Sequence, residues 1–218
     1  MGRKTQGELL KHVLLERLMH YYYFLGERPG EDSPETVSSG QIAKFLNMDD
    51  TLVRKDLAAL GVRGHPRIGF KTHEVLAAIR NVLGFEKTNK AIVVGAGRLG
   101  GALAAYSGFS KCSLFIVAAF DSDPQKQGSV LAGTVVQPME NLEAVIQRHN
   151  VRLAILTVPA DPAQEIADRL VRAGIRAIWN FAPKALVVPS GVVVRHEHIV
   201  AGLAELAYHL KNIAEQET

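Results

Sequence analysis

Residues 91–100 read Ala-Ile-Val-Val-Gly-Ala-Gly-Arg-Leu-Gly, an apolar run that opens into G-x-G-x-x-G. Such a run followed by closely spaced glycines predicts a buried strand, a tight turn and a helix. Gly95 permits the turn, Gly97 lets the backbone approach a pyrophosphate, and Gly100 lets the helix pack on the strand. The helix expected over Leu99–Tyr106 aims unpaired N–H groups at the phosphates. Gly95, Ala96, Gly97, Arg98, Leu99 and Gly100 are therefore the candidate cofactor loop. Asp121 closes the next apolar run, Cys112–Phe120, and lies 21 residues after Gly100. That is close to the spacing of a carboxylate that binds a ribose diol. Strand, glycine turn, helix and acid in this order imply NAD(H) or a similar dinucleotide. The alternative is a glycine-rich turn in an α/β protein that binds something else.

The chain downstream repeats the alternation. Asp123–Gly128 is a polar loop in which Lys126 is a candidate for a phosphate or ribose oxygen. A helix is expected over Asn141–His149, a strand over Leu153–Val158 and a helix over Pro162–Ala173 with Gly174 as its stop. A further strand is expected over Ala177–Phe181. This βαβαβ order implies a parallel sheet with its ligand at the carboxyl ends of the strands. Thr157, Val158 and Pro159, with Asn180, Phe181 and Ala182, are thereby drawn toward the glycine loop. A short strand over Val192–Val194 precedes a last helix from Ile199 to about Ala214. Its face of Leu203, Leu206, Leu210 and Ile213 needs a covering surface, and a second copy of the chain supplies one.

Upstream, residues 1–86 are long enough for a separate small domain. Leu9, Leu10, Val13, Leu14, Arg17, Leu18 and Tyr21 recur at helical spacing. Glu27–Thr36 reads as a loop. Ser38 or Ser39 caps a short helix through Phe45, Asn47-Met48 is a turn, and Asp49 or Asp50 caps a second helix through Leu60. This is the helix-turn-helix pattern. Gly61–Phe70, rich in glycine, proline and basic residues, resembles the wing of a winged helix. A further helix is expected over Thr72–Leu83, with Thr72 as its cap and Val75, Ile79 and Val82 inside.

Arg54, Lys55, Arg63, Arg67 and Lys71 are opposed by a single acid, Asp56, between Leu52 and His73. That local positive excess suits a phosphate backbone, with the start of the second helix in the major groove. Ser38, Ser39, Thr51, Arg54, Lys55, Arg63 and Arg67 are the candidate contacts to double-stranded DNA. The alternative is a small dimerisation domain with a solvated basic face. The net charge of +3 permits nucleic-acid binding without requiring it.

No stretch is long and apolar enough to suggest a membrane span. The basic segment Met1–Gln6 runs into Glu8, Lys11, Glu16 and Arg17, unlike a secretory signal. The single Cys112 fits a reducing cytoplasm, with a small buried thiol as its expected role. Catalytic patterns are missing. Tyr208 and Lys211 are one residue too close for Tyr-x-x-x-Lys, and His196-x-His198 is weak as a metal site. The pattern favours binding without turnover.

Taken in order, these pieces resemble the Rex family of bacterial redox-sensing transcriptional repressors. The resemblance rests on Arg17-Leu18 with Tyr21-Tyr22-Tyr23, Val37-Ser38-Ser39, Val53–Leu57, the wing with Arg63 and Arg67, and Gly95–Gly100 with Tyr106. Phe120-Asp121, Leu156–Pro159 and Asn180–Pro183 complete the set, which spans about Arg17 to Leu210. It implies a homodimer on palindromic operator DNA, with a winged helix over 1–86, an NAD(H)-binding Rossmann domain over 87–198 and a domain-swapped helix over 199–218. NADH would release the protein from DNA. It further implies that Arg17 and Tyr106 help link cofactor state to domain arrangement. Separately, a pocket walled by apolar groups such as Tyr106 and a partner's Ile199 would disfavour the cationic nicotinamide of NAD⁺ through desolvation. His198 stands where the family carries an aspartate, a departure that leaves Arg17 without its expected anionic partner.

Overall fold

The structure, a computed structural model, describes residues 6–26 and 35–216. The described chain divides into two compact units between Lys87 and Thr88.

The first unit holds four helices and a two-stranded ribbon: α1 (Gln6–Gly26), β1 (Thr36–Val37), α2 (Ser39–Leu46), α3 (Asp50–Ala59), β2 (Phe70–Lys71) and α4 (Thr72–Leu83). Ser38 caps α2 through a capping box with Gln41. Asn47 turns the chain in the left-handed region, and Asp49 caps α3 by accepting from the amides of Thr51 and Leu52. Leu18, Tyr21, Val37, Ile42, Val53, Leu57, Val75 and Ile79 form the core, all fully buried.

Three expectations change here. Thr36 begins β1 rather than ending a loop, and the remainder of that loop, 27–34, lies outside the described residues. Lys71 occupies the cap position of α4, with Thr72 its first residue and partly responsible for its core. Val82 is half exposed and does not face inward.

The second unit is a seven-stranded sheet in the order β5-β6-β4-β3-β7-β8-β9. Its strands are β3 (Asn89–Val94), β4 (Leu114–Asp121), β5 (Val130–Leu131), β6 (Thr134–Pro138), β7 (Leu153–Leu156), β8 (Ala177–Asn180) and β9 (Val193–His196). Every pairing is parallel except β5 with β6. The helices are α5 (Arg98–Ala104), α6 (Gly108–Lys111), α7 (Leu142–His149), α8 (Ala160–Ala173) and α9 (Ile199–Gln216). Ile92, Val94, Ala118, Phe120, Ala154, Leu156 and Ile178 pack with Leu142, Val145 and Ile146 of α7 and Ala163, Ala167 and Leu170 of α8. The strand run is apolar on both faces, as parallel strands covered on both sides require.

The glycine helix ends at Ala104, and α6 follows a turn at Tyr106, so the expected helix to Tyr106 is two short ones. Cys112 precedes β4 and is half-buried, not enclosed. The β5–β6 hairpin carries no apolar run long enough to announce a strand. Along α9, residues 200–211 are exposed throughout, with Leu203, Leu206 and Leu210 each about two-thirds exposed.

Gly100 packs so closely that a Cβ on it would overlap the carbonyl oxygen of Gly95 and stand 2.8 Å from Thr157 Oγ1. Neither is the yielding end of a flexible side chain. Gly100→Ala is expected to destabilise the second unit by at least about 2 kcal/mol, lowering its thermal midpoint by roughly 4–8 °C in calorimetry.

Candidate functional site

The carboxyl ends of β3, β4, β7 and β8 surround a cleft of about 700 Å³. Its form begins with backbone pairing at the strand ends. Gly95 N–H donates to Phe120 O at 2.8 Å and Thr157 N–H to Val94 O at 2.9 Å. The Thr157 hydroxyl then donates to Gly95 O at 2.8 Å, which ties the glycine loop to the end of β7. Gly95 sits at φ +103°, and a Cβ there would stand 2.6 Å from Thr157 O. No other residue type fits that position. Gly97 differs. Its φ of −81° suits any residue, and a Cβ would meet no atom within 4 Å. Its missing side chain matters to the cleft it lines, not to the protein's own packing.

Asp121, 8 % exposed, is held at the end of β4. Oδ2 accepts from Ala96 N–H at 2.8 Å and from Lys126 Nζ at 3.1 Å, while Oδ1 accepts from Asp123 N–H at 2.9 Å. Burial alone would raise its carboxyl. The Asp123 amide, the Lys126 ammonium and the Ala96 amide outweigh burial and hold it below the usual carboxylate range. Lys126 thus faces Asp121 and, at 3.9 Å, Asp123.

Of the sequence candidates, Gly95, Gly97, Leu99, Asp121, Lys126, Thr157, Val158, Pro159 and Phe181 line the cleft. Ala96 acts through its amide, and Gly100 is buried behind the loop. Arg98 is exposed outside the lining. Asn180 and Ala182 turn inward: Asn180 Oδ1 accepts from Ala182 N–H at 3.1 Å, and Nδ2 donates to Lys184 O at 2.8 Å. Their buried loop delivers Phe181 to the cleft. Tyr106 is not in the cleft. It is half exposed at the far end of an aromatic row, Phe181–Trp179–Phe109–Tyr106, with centroid steps of 5.0, 5.9 and 5.1 Å. The Ile199 side chain lies outside the described residues.

Sequence reading missed one wall. Met139 and, from α8, Pro162, Glu165, Ile166 and Arg169 line the cleft. Their i, i+3, i+4, i+7 spacing is the available signal. Arg169 forks onto Glu143 at 2.9 and 3.1 Å and donates to Met139 O at 2.9 Å. The guanidinium holds the Glu143 carboxyl below its usual value.

In the first unit, Thr51, Arg54, Lys55 and Ala58 form one exposed face of α3. Arg54 pairs with Asp50 one turn earlier and donates to Ser39 Oγ at 3.2 Å. Ser39 itself is buried, so it orients Arg54 instead of facing solvent. Ser38 is exposed, with its hydroxyl engaged in the α2 cap. The wing is a tight loop closed by reciprocal bonds between His65 and Gly69 at 2.7 and 2.9 Å, with Arg67 left-handed at φ +66°. Arg63 and Arg67 are exposed on it. Arg17 is not free. It makes a two-point ion pair with Asp56 inside this unit, a partner that no local sequence pattern announced.

These features define a winged-helix domain joined to a Rossmann-type domain with a dinucleotide-shaped cleft. Residues 86–184 match the family described as "CoA binding domain", and residues 13–58 match "Putative DNA-binding protein N-terminus". The redox-sensing transcriptional repressor Rex of Roseiflexus sp. (strain RS-1) is 41 % identical over 180 residues, covering 83 % of this chain and 82 % of that one. The Rex protein of Treponema denticola is 40 % identical over 190 residues, covering 87 % and 90 %. A crystal structure of RSP in complex with β-NAD⁺ and operator DNA superposes with a TM-score of 0.86 at 33 % identity, covering 94 % of each chain. RSP in complex with β-NADH gives 0.81 at 30 % identity over the whole of both chains. The chain belongs to the Rex family of redox-sensing transcriptional repressors.

His196, at the end of β9, lies with Nδ1 3.0 Å from Asn180 Nδ2. The Asn180 amide is fixed by its bonds to Ala182 and Lys184, so Nδ2 donates and His196 accepts as neutral imidazole. Burial first, and the stacked His198 second, lower its pKa from 6.5. A folded-state value below the unfolded one means stability is whole above 6.5 and falls as pH drops below it. His196→Gln keeps an acceptor without a titrating proton. Its thermal midpoint is expected to fall less than that of wild type between about pH 7.5 and 5.5. Equal losses would show that His196 does not titrate in that window.

Proposed function

We propose that this chain is a homodimeric repressor that binds palindromic, double-stranded operator DNA through its winged helix and leaves it when NADH occupies the cleft. The observation that carries the reading is Gly97. It is a glycine that neither backbone strain nor packing requires, at the mouth of a cleft that also presents the Asp121 carboxylate. A backbone left bare toward a cavity suits the close approach of a pyrophosphate. The solved relative RSP is described with β-NAD⁺, β-NADH and operator DNA, and we assign the same ligand classes to this chain.

In this reading the backbone of Gly95–Leu99 meets the phosphates. Asp121 accepts from a ribose hydroxyl once Lys126 yields a lone pair, and its charge opposes a 2′-phosphate, which favours NAD(H) over NADP(H). Met139, Pro162 and Ile166 form an apolar wall suited to a planar base. Thr157, Val158, Pro159 and Phe181 line the remainder. NAD⁺ carries a cationic ring and NADH a neutral one, so an apolar wall disfavours the oxidised form. The cofactor acts on DNA binding only through its unequal affinity for two arrangements of the dimer. The exposed apolar face of α9 is the dimerisation surface, and the protein acts by binding, without turnover. On the DNA side, Thr51, Arg54 and Lys55 address the major groove, with Arg63 and Arg67 of the wing on phosphates or the adjacent groove.

The test uses the full chain and a palindromic duplex selected from a randomised pool, at fixed salt. NADH is expected to weaken DNA binding at least about 10-fold, a shift within reach of an ordinary coupling free energy, and NAD⁺ to leave it nearly unchanged. Gly97→Ala is expected to keep the wild-type thermal midpoint and DNA affinity while requiring roughly 10-fold more NADH for release. DNA affinity indifferent to NADH would overturn the reading. Hydride turnover on a co-substrate would replace it with an NAD-dependent enzyme.

A further inference from the structure

Asp56 is the single acid between Leu52 and His73, and it lies on α3 beside Arg54 and Lys55. A carboxylate on a helix that approaches phosphates opposes binding. The fold withdraws it. Asp56 is 5 % exposed, and α1 supplies donors to both its oxygens. Arg17 Nε donates to Oδ2 at 2.6 Å and a terminal guanidinium nitrogen to Oδ1 at 2.8 Å. The Tyr21 hydroxyl donates to Oδ2 at 2.8 Å and lies 3.5 Å from Met48 Sδ, in the turn between α2 and α3. Burial, and then the bond to Asp56, push the Tyr21 hydroxyl above its ordinary pKa, so it remains a donor.

We propose that Arg17, acting through Asp56, is a positioning residue for operator recognition: its fork fixes the rotation of α3 about its own axis and neutralises the Asp56 carboxylate, while the helix's other acid, Asp50, is paired with Arg54. The inference rests on the DNA-binding reading above. Stability alone does not account for the pair, because buried ion pairs contribute little that well-packed apolar side chains would not. What a two-point guanidinium–carboxylate fork adds is direction. Direction matters on this helix because base contacts need atomic register. A rotation of about 10° carries an arginine tip, several ångströms beyond the helix's ~2.3 Å Cα radius, through roughly 1 Å. Phosphate contacts tolerate such a shift far better, because they rest on charge. The proposal therefore predicts a loss of specific binding with non-specific binding retained, which a general loss of stability would not produce.

Arg17→Lys separates the two. Lysine keeps the charge that neutralises Asp56 but presents a single point of attachment. With the full chain, we expect the variant's affinity for the selected palindromic duplex to fall roughly 10-fold, while its affinity for a scrambled duplex of equal length stays within about 2-fold of wild type. NADH binding, followed by its fluorescence, is expected to be unchanged. Should Arg17→Lys fail to fold, Tyr21→Phe removes one of the three bonds to Asp56 and leaves the core volume intact. It is expected to lower the specific-to-scrambled ratio by roughly 3-fold. An unchanged ratio in a folded variant overturns the proposal, as does an equal fall on both duplexes. If wild type itself does not prefer the selected duplex, the DNA-binding reading fails and the inference with it.

Discussion

The close approach of two strand ends, at Gly95 and Thr157, is the constraint on which the second unit's cleft depends. A parallel sheet brings the carboxyl ends of β3 and β7 side by side, and each must turn away without a side chain in the gap. Gly95 enters the left-handed region, Gly100 presses on its carbonyl, and the Thr157 hydroxyl bonds across. With those atoms in place, the Ala96 amide points at Asp121 and couples the loop to the end of β4. The cleft is thus a consequence of backbone proximity, and its acidic corner is built by amides before any ligand arrives. Asp121 thereby anchors the loop, accepting from the Ala96 and Asp123 amides and from Lys126.

The first unit rests on a different device. Its core is conventional for a small helical domain, with leucine, isoleucine and valine from each helix in contact. The element that sets it apart is the tie from α1 to the second helix of the helix-turn-helix. Arg17 and Tyr21 lie on an apolar stripe, yet both send polar atoms to one carboxylate. The first helix therefore ties α3 through hydrogen bonds as well as through its apolar stripe. Arg17 thus has its counter-charge within its own unit.

Much of the fold was legible because its signals are local. Strand β3 with its glycines, the caps of α2 and α3 to within one residue, the existence of α7 and α8 and the αL stop at Gly174 all follow from short-range periodicity or capping chemistry. The misses share a cause. The β5–β6 hairpin is short and carries weak alternation, so only pairing with β4 makes it a strand. Thr72 is a good cap by composition, but ribbon pairing through Lys71 shifts the helix start by one. Tyr106 follows the glycine motif closely in sequence, yet the break between α5 and α6 carries it out of the cleft to the end of an aromatic row.

By itself the sequence determined the two-part organisation, the parallel sheet, the glycine loop with its acid and the basic helix with its wing. The glycine loop with its acid and the basic helix with its wing are each short-range signals, and the sheet follows from a succession of such local elements. Only the tertiary structure decided which candidates face the cleft and which support it. Asn180 and Ala182 became scaffold, Phe181 became wall, and Pro162, Ile166 and Arg169 joined from α8. It also decided that Arg17 belongs to Asp56, 39 residues away. Such partnerships arise when separate elements pack, because burial forces each polar atom to find a donor or acceptor among whatever the fold brings near, and no local pattern records that choice.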